Sequence, residues 1–383
     1  MQFRTRAIHV GNEPDTETGA VVRPLYTSAT FVQPAGGAAA EYDYSRSGNP
    51  TRHAFETTLG ALEGGVAALA FASGMAATHC AMLLLEAGDH VVAGSDIYGG
   101  TYRLLHQVLP KSDIKTTLVP AADLAAVDAA FTPRTKILWI ESPGNPLMSI
   151  TDIAACAEIA HRHGALLGVD NTFASPALQR PLELGADIVM HSATKYIGGH
   201  SDLLGGALVV RDQALRDRLY FLQNATGGVM GPLESYLCSR GLKTLELRVR
   251  EQSHTAAQLA DWLAADKRIA KVRYPGRADH PGHAIARRQM EGAFGAMLSF
   301  EVAGSFDATR RLVDSTRLFR LAVSLGAVES LIEQPASMSH ASYAAEHRRQ
   351  HGIADGLVRA SVGLEAFEDL RDDLDQALAK AIG

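Results

Sequence analysis

The chain has 383 residues, of which 46% are hydrophobic and 20% are charged, and its formal net charge is -6. This is an ordinary composition for a globular protein of two or three domains, and the acidic balance argues against a nucleic-acid or anionic-membrane partner. No apolar run approaches a membrane span, the three cysteines form no CxxC pair, and the histidines form no HExxH motif. The sequence therefore predicts a cytoplasmic protein with no membrane partner, no disulfide framework and no metal site.

The first 50 residues are expected to form an arm that has no core of its own. They contain scattered glycines and prolines with extended stretches between them, so the arm must lie on the rest of the protein or on a neighbouring subunit. Near its end, Arg46 with Tyr44 could contact a phosphate, because arginine binds anions in a bidentate manner. A turn with a solvated arginine is the alternative. Thr51 is a candidate N-cap for the helix that follows.

From about residue 64, apolar strands alternate with helical stretches. The predicted strands are 66–71, 90–93, 116–119, 135–141, 165–170 and 188–191, and the helices between them include 124–131 and 153–163. This alternation predicts an α/β domain, residues 51–235, with a mostly parallel sheet and helices on both faces.

A smaller α+β domain, residues 236–383, is expected to follow. A helical stretch from 233 to about 265 leads into strands 269–274, 296–302 and 357–362, which are predicted to be antiparallel, and a last helix covers 367–382. Arg359 lies inside the last of these strands. A buried arginine needs an anionic partner, which could equally be a substrate carboxylate or a structural ion pair.

Four polar side chains follow strands of the predicted parallel sheet. Tyr98, Asn145, Asp170 and Lys195 all fall at the carboxyl ends of strands, where enzymes of this architecture carry out their chemistry. A lysine there can form a Schiff base with pyridoxal phosphate (PLP), an aspartate can keep the pyridine nitrogen protonated, and an aromatic ring can cover the cofactor. A solvated surface lysine is the alternative for Lys195.

A phosphate site is predicted beside this lysine. Gly74 and Met75 begin a helix directly after a strand, so that backbone N–H groups can bind an anion. The hydroxyls of Ser192 and Thr194 lie three residues and one residue before Lys195. The helix start is neither a Walker A sequence nor a GxGxxG fingerprint, which argues against a dinucleotide dehydrogenase.

Taken together, six motifs resemble the Cys/Met-metabolism, or trans-sulfuration, family of PLP-dependent enzymes. They are Tyr-Ser-Arg-Ser-Gly-Asn-Pro-Thr (44–51), Ser-Gly-Met (73–75), Gly-Val-Asp-Asn-Thr-Phe (168–173), His-Ser-Ala-Thr-Lys-Tyr (191–196), Arg-Gly-Leu-Lys-Thr-Leu (240–245) and Arg-Ala-Ser-Val-Gly-Leu-Glu (359–365). The resemblance covers essentially the whole chain, and among the family's members it is strongest to bacterial cystathionine γ-lyases.

The resemblance implies a fold-type-I PLP transferase with a mostly parallel seven-stranded central sheet. It implies a homotetramer, built as a dimer of dimers, in which Tyr44 and Arg46 touch the phosphate bound by the neighbouring subunit. It further implies a small amino-acid substrate, with Asn145 near the cofactor's phenolic oxygen, Ser324 positioning the lysine, and Arg359 binding the substrate carboxylate.

The resemblance also implies a reaction, α,γ-elimination of cystathionine to cysteine, 2-oxobutanoate and ammonia, with Lys195 and Tyr98 transferring protons. Gly100 stands where methionine γ-lyases characteristically carry a cysteine, and residues 223–232 are similar to the γ-lyase branch. Val323, however, stands where some γ-lyases and γ-synthases have glutamate. Cystathionine β-lyase and cystathionine γ-synthase are therefore the alternatives. A non-catalytic scaffold is disfavoured because every catalytic position is filled.

Overall fold

The computed structural model of the chain describes residues 1–36, 40–339, 346 and 352–382. The strands of a first sheet are β1 (Ala67–Phe71), β2 (His90–Gly94), β3 (Lys115–Val119), β4 (Thr135–Glu141), β5 (Leu166–Asp170), β6 (Ile188–His191) and β7 (Gly206–Val210). Those of a second sheet are β8 (Ile269–Arg273), β9 (Met297–Val302), β10 (Arg320–Leu321), β11 (Leu331–Glu333) and β12 (Leu357–Ser361). The α-helices within the described residues are α1 (Phe3–His9), α2 (Pro50–Glu63), α3 (Gly74–Met82), α4 (Gly99–Arg103), α5 (Leu124–Ala129), α6 (Ile153–Arg162), α7 (Gln213–Thr226), α8 (Pro232–Leu242), α9 (Leu245–Ala265), α10 (His283–Gln289), α11 (Phe306–Ser315) and α12 (Phe367–Ile382).

The first sheet has seven strands in the order β1-β7-β6-β5-β4-β2-β3. Only β7 runs antiparallel to its neighbours, and the remaining pairs are parallel. This confirms the predicted mostly parallel seven-stranded sheet. The strand predictions omitted β7 itself, although its five residues are all buried and its apolar run Ala-Leu-Val-Val could have indicated it.

Both faces of the first sheet are buried, as a parallel sheet requires. Along β4, Leu138 and Ile140 pack into one hydrophobic core, whereas Ile137 and Trp139 pack into another. Helices α2 and α6 cover the first core, and α3 and α7 cover the second. The prediction of helices on both faces is therefore confirmed, and among the seven strands the edge strand β3 exposes side chains along its length.

The entrance to α2 differs from the prediction that Thr51 is its N-cap. Asn49 caps the helix instead, accepting hydrogen bonds from the N–H groups of Thr51 and Arg52, and Pro50 occupies the first turn. The Thr51 hydroxyl accepts a hydrogen bond from the N–H of Tyr26 at 2.9 Å. Thr51 therefore fastens the arm to α2 rather than capping it.

The arm also begins with a helix that the sequence did not indicate. Helix α1 buries Ala7 and packs on α2, so the first residues of the arm lie on the rest of the protein, one of the two arrangements expected for an arm without its own core. The rest of the arm is largely open, since Val21 is 80% exposed and Val32 is 97% exposed. The predicted contact of this arm with a neighbouring subunit stays a prediction.

The second sheet has the order β10-β11-β12-β9-β8. Its pairs are antiparallel except β10 with β11, which confirms the antiparallel strands predicted for this part of the chain. The predicted helix from 233 to 265 is two helices, α8 and α9, and the predicted domain boundary after residue 235 falls inside α8. The division into domains stays a prediction. Among the described residues, no helix combines the length and apolarity needed to cross a membrane.

Candidate active site

The carboxyl ends of β2, β4, β5 and β6 lie at one edge of the first sheet, because these strands run parallel. Asp170 is the last residue of β5 and pairs in register with Glu141, the last residue of β4. The N–H of Tyr98, after β2, donates to the Glu141 carboxylate at 2.8 Å. The structure thus brings the residues that follow these strands together, as parallel topology requires.

Lys195 lies just beyond β6, and its amine is largely shielded from water. Its Nζ donates a hydrogen bond to the Ser324 hydroxyl at 2.6 Å. Burial, and then the positive charge of Arg359, lower the pKa of Lys195 to about 8, although Glu333 opposes them. An uncharged amine is therefore much more populated near neutral pH than on an ordinary lysine, and the uncharged amine is the form that attacks an aldehyde.

This lowered pKa predicts how the apoprotein captures an aldehyde. The pKa of Lys195 lies near 8 instead of the usual value of 10.5, so the neutral, reactive fraction rises as the pH increases through about 8 and levels off above it. We expect the rate constant for PLP capture, followed by absorbance after mixing, to follow this curve. A rate that still rose steeply between about pH 9 and 10 would contradict it.

The phosphate end of the site is a cradle at the start of α3. The first N–H groups of a helix have no partner within it. Ser73 satisfies Ala76 with its side chain and Ala77 with its carbonyl, which leaves the N–H groups of Gly74 and Met75 for an anion. Gly74 lies so close to Ser192 that an added Cβ would be 3.1 Å from the Ser192 Cβ. A side chain at Gly74 would fill the space between this helix start and the Ser192 hydroxyl.

Thr194 contacts Gly205, which lies next to the start of β7. Its hydroxyl donates to the Gly205 carbonyl at 3.2 Å and accepts from the Gly205 N–H at 3.0 Å. The next residue, Gly206, begins β7, and a Cβ there would come within 2.2 Å of the Ser73 carbonyl oxygen. The close contact between β7 and the start of α3 therefore requires glycine at this position.

Asp170, at the end of β5, is the residue predicted to pair with the pyridine nitrogen of PLP. It is 4% exposed and accepts a hydrogen bond from the Thr172 N–H at 3.0 Å. Burial raises the pKa of Asp170, while the hydrogen bonds from Thr172 and then the charge of His191 lower it. A buried carboxylate needs a cationic partner, and a protonated pyridine nitrogen is such a partner. The chemistry of Asp170 and of the cradle at the start of α3 therefore fits the two charged groups of PLP, its pyridine nitrogen and its phosphate.

Glu141, beside Asp170, is a site residue that the sequence did not indicate. Burial, and then the negative charge of Asp170, raise the pKa of Glu141 well above its usual range. Its hydrogen bond with the Tyr98 N–H fixes the backbone just before α4. The Tyr98 ring is 47% exposed, and a Cβ on Gly100 would lie 2.4 Å from this ring and 2.8 Å from the Met75 sulfur. The Tyr98 ring and the cradle residue Met75 therefore both border Gly100, and the covering of the cofactor by Tyr98 stays a prediction.

Arg359, in β12, is the residue predicted to bind a substrate carboxylate. Its guanidinium donates to the Asn145 side-chain oxygen and to the Ser324 carbonyl, each at 2.9 Å. It also lies 3.2 Å from a carboxylate oxygen of Glu333, its direct cross-strand partner on β11. The ion pair considered as an alternative is therefore present, and the binding of a substrate carboxylate by Arg359 stays a prediction. The sequence did not single out Glu333, although a lone acid in the apolar strand 331–333 was the same signal that drew attention to Arg359.

Ser324 contacts both Lys195 and Arg359. Its side chain receives the Lys195 hydrogen bond and its carbonyl receives one from Arg359. Its backbone has φ of 96°, a conformation that non-glycine residues avoid and that is concentrated at functional sites.

Tyr44 and Arg46 make their contacts elsewhere. Arg46 donates to the backbone carbonyl of Asn224 on α7 at 2.6 Å, and its guanidinium carbon lies 5.8 Å from the centre of the Tyr44 ring. Within the described part of a single chain, these contacts do not include the Lys195 site. Their predicted role at the phosphate of a neighbouring subunit stays a prediction.

Comparison with known proteins identifies the family. The model of the Cys/Met metabolism PLP-dependent enzyme family matches residues 4–379. The chain belongs to this family. PLP is therefore the cofactor of this Cys/Met-metabolism enzyme, and its mostly parallel sheet has the fold-type-I architecture.

Relatives of this Cys/Met-metabolism enzyme carry three different names. Cystathionine gamma-synthase of Mycobacterium tuberculosis (strain ATCC 25618 / H37Rv) is 54% identical over 376 residues, 98% of this chain and 96% of that protein. Cystathionine beta-lyase of Lactococcus lactis subsp. cremoris (strain MG1363) is 49% identical over 378 residues, 99% of each chain. The crystal structure of cystathionine gamma-lyase from Lactobacillus plantarum complexed with L-serine has a TM-score of 0.97 at 47% identity and covers 100% of this chain and 99% of that one. The chemistry is thus PLP-dependent trans-sulfuration, while the roles of individual residues stay predictions.

Proposed function

We propose that this enzyme cleaves the Cγ–S bond of cystathionine by α,γ-elimination. With one water taken up, cystathionine gives cysteine, 2-oxobutanoate and ammonia. The observation that carries the proposal is the arrangement of Lys195, Ser324 and Arg359. An amine with a pKa of about 8 is held next to the group that would hold the substrate carboxylate. Such a base lies near both carbons that must exchange protons, Cα and Cβ, when a γ-substituent leaves.

The protein's own groups divide this work. When bound, PLP supplies an electron sink for the substrate's Cα. Arg359 and Asn145 hold the substrate carboxylate and so fix the orientation of Cα. Lys195, on its flexible stem, removes the Cα proton and then moves protons at Cβ. Tyr98, over the cofactor, is the second proton-transfer group and can protonate the departing sulfur.

A second candidate is γ-replacement, in which an activated homoserine and cysteine give cystathionine. The 54% identity with a protein named cystathionine gamma-synthase favours it. Both reactions need the same proton transfers at Cα and Cβ and differ in whether a thiol adds at Cγ. The apolar side chain of Val323, which is 59% exposed beside Ser324, offers no charge there to favour one outcome. β-Elimination, which the beta-lyase relative favours, needs no proton transfer at Cβ.

Product analysis separates the three reactions. Purified holoenzyme is incubated with cystathionine alone, and in parallel with an O-acylated homoserine plus cysteine. Our proposal expects cysteine and 2-oxobutanoate from cystathionine alone. Homocysteine and pyruvate as the products would show that the reaction is β-elimination instead. Turnover in the second mixture alone would show that it is γ-replacement. A Lys195→Ala sample identifies any background reaction.

We also propose that the enzyme is a homotetramer, built as a dimer of dimers, in which Tyr44 and Arg46 complete the phosphate site of the neighbouring subunit. The open arm, with Val21 and Val32 exposed, supports this proposal, because exposed apolar side chains on an extended segment favour burial against another chain.

A further inference from the structure

A buried polar network lies behind the strand ends that carry the PLP site. His191, the last residue of β6, places its Nε2 2.5 Å from a carboxylate oxygen of Glu63 on α2. The same oxygen accepts a hydrogen bond from the Asn171 side chain at 3.0 Å. Glu63 is 0% exposed and His191 is 1% exposed. The network therefore joins α2 to the ends of β5 and β6 through buried side chains.

The network extends to a third strand end. The side-chain amide of Gln179 donates to the Asn171 side-chain oxygen at 2.9 Å and to the Ser142 carbonyl, directly after β4, at 2.8 Å. The ends of β4, β5 and β6 are thus tied to one another through side chains. Asn171 directly follows Asp170 in the chain, and His191 directly precedes Ser192. The network therefore holds the backbone on either side of two residues proposed to bind PLP.

Fold stability alone is a poor explanation for this arrangement. A buried pair of this kind is often no more stabilising than apolar side chains of similar volume. The second carboxylate oxygen of Glu63 is buried without a hydrogen-bond partner among the described residues, which adds a cost. The mechanism proposed above uses neither Glu63 nor His191. A pair that costs free energy and adjoins the cofactor site on two strands points to a role in that site.

We propose that Glu63 and His191 are positioning residues that set the orientation and the charge of Asp170 at the pyridine end of the PLP site. The inference rests on the proposed role of Asp170. Two titratable groups act on Asp170 from the neighbouring strands, Glu141 from β4 and His191 from β6. The charge of Asp170 raises the pKa of Glu141, whereas the interaction with His191 lowers the pKa of Asp170. Glu63 holds the His191 ring through their hydrogen bond, so the effect of Glu63 on the cofactor site is transmitted through His191.

The test replaces Glu63 by glutamine, which keeps the shape and the acceptor for Asn171 but removes the charge. Apoprotein is titrated with PLP to obtain the dissociation constant, and the absorbance of bound PLP is followed against pH. We expect Glu63→Gln to weaken PLP binding about tenfold, the lower end of what supporting residues around bound cofactors cost. We also expect the midpoint of the spectral titration to shift, because His191 then loses its carboxylate partner and its interaction with Asp170 changes.

A matched control lies at the other end of the same strand. His161 Nε2 is 2.8 Å from Asp187, the residue directly before β6, and the same carboxylate oxygen accepts from the Leu167 N–H at 2.8 Å. This is also a histidine–carboxylate pair, but it lies at the edge of the sheet opposite the PLP site. His161→Gln should change neither the PLP dissociation constant nor the spectral midpoint, whatever it does to the melting temperature.

The outcomes separate a positioning role from a structural one. A weakened PLP affinity with a shifted midpoint in Glu63→Gln, and neither in His161→Gln, supports the inference. A lowered melting temperature without either spectroscopic change, or no change at all, overturns it. If Glu63→Gln does not fold, His191→Gln is measured against the same expectations. Asp170→Asn is the reference: if it leaves the midpoint unchanged, the proposed role of Asp170 is wrong, whereas a shift in Asp170→Asn alone overturns only the inference about Glu63 and His191.

Discussion

Replacing Lys195 by alanine is expected to lower kcat by at least about 1000-fold, because the variant loses the base that moves protons at Cα and Cβ. The Lys195 amine is largely buried and donates a hydrogen bond to Ser324, so the fold should survive its removal. Steady-state turnover of cystathionine measures the loss, and the melting temperature of the apoprotein verifies the fold. Added methylamine should restore part of the activity of Lys195→Ala.

The control for this experiment is Lys136→Ala, since Lys136 is an exposed lysine on β4. It should retain wild-type turnover and cofactor absorbance. Activity of Lys195→Ala within tenfold of wild type would disprove the assignment of the base. In that case another residue would have to be the base, and Tyr98 is the next candidate.

Replacing Arg359 by leucine is expected to have two separable effects. It removes the group proposed to bind the substrate carboxylate, so KM should rise about 100-fold or more, in the range found when one partner of a buried charged pair is lost. It also leaves Glu333, which is 1% exposed, as a buried charge without its counter-ion. The free energy of unfolding should fall by about 3–5 kcal/mol. Urea unfolding and steady-state kinetics measure the two effects.

The double variant Arg359→Leu/Glu333→Leu separates these effects. Removing both charges leaves no unpaired ion, so most of the lost stability should return. The elevated KM should remain, because the carboxylate has lost its partner. A KM that recovered together with stability would make Arg359 a structural residue only, and the carboxylate subsite would then have to be assigned elsewhere.

The strand ends could be predicted from the sequence because each buried parallel strand appears as a short apolar run. Tyr98, Asn145, Asp170 and Lys195 follow such runs, and topology alone brings them to one edge. β7 was missed because its run follows a series of glycines that indicates a loop. Helix α1 was missed because seven residues give too few turns for a periodic pattern.

Contacts between residues that are far apart in the chain could not be predicted from such local patterns in the sequence. Glu63 and His191 are 128 positions apart, and each residue alone has the properties of an ordinary polar residue near the end of an element. Only the fold shows that they share a hydrogen bond. The reaction is a similar case, because relatives named for three reactions share about half of their residues with this chain, and the residues that bind PLP are required for all three.

Ser324 has a consequence for how the enzyme could select its substrates. One residue restrains the amine of Lys195 through its side chain and the guanidinium of Arg359 through its carbonyl. A carboxylate arriving at Arg359 competes with that carbonyl, and any shift of the Ser324 backbone also alters the hydrogen bond that restrains Lys195. An amine without a carboxylate would leave both restraints in place. The carboxylate of an amino acid would then increase the mobility of the Lys195 amine as well as the affinity of the substrate for Arg359.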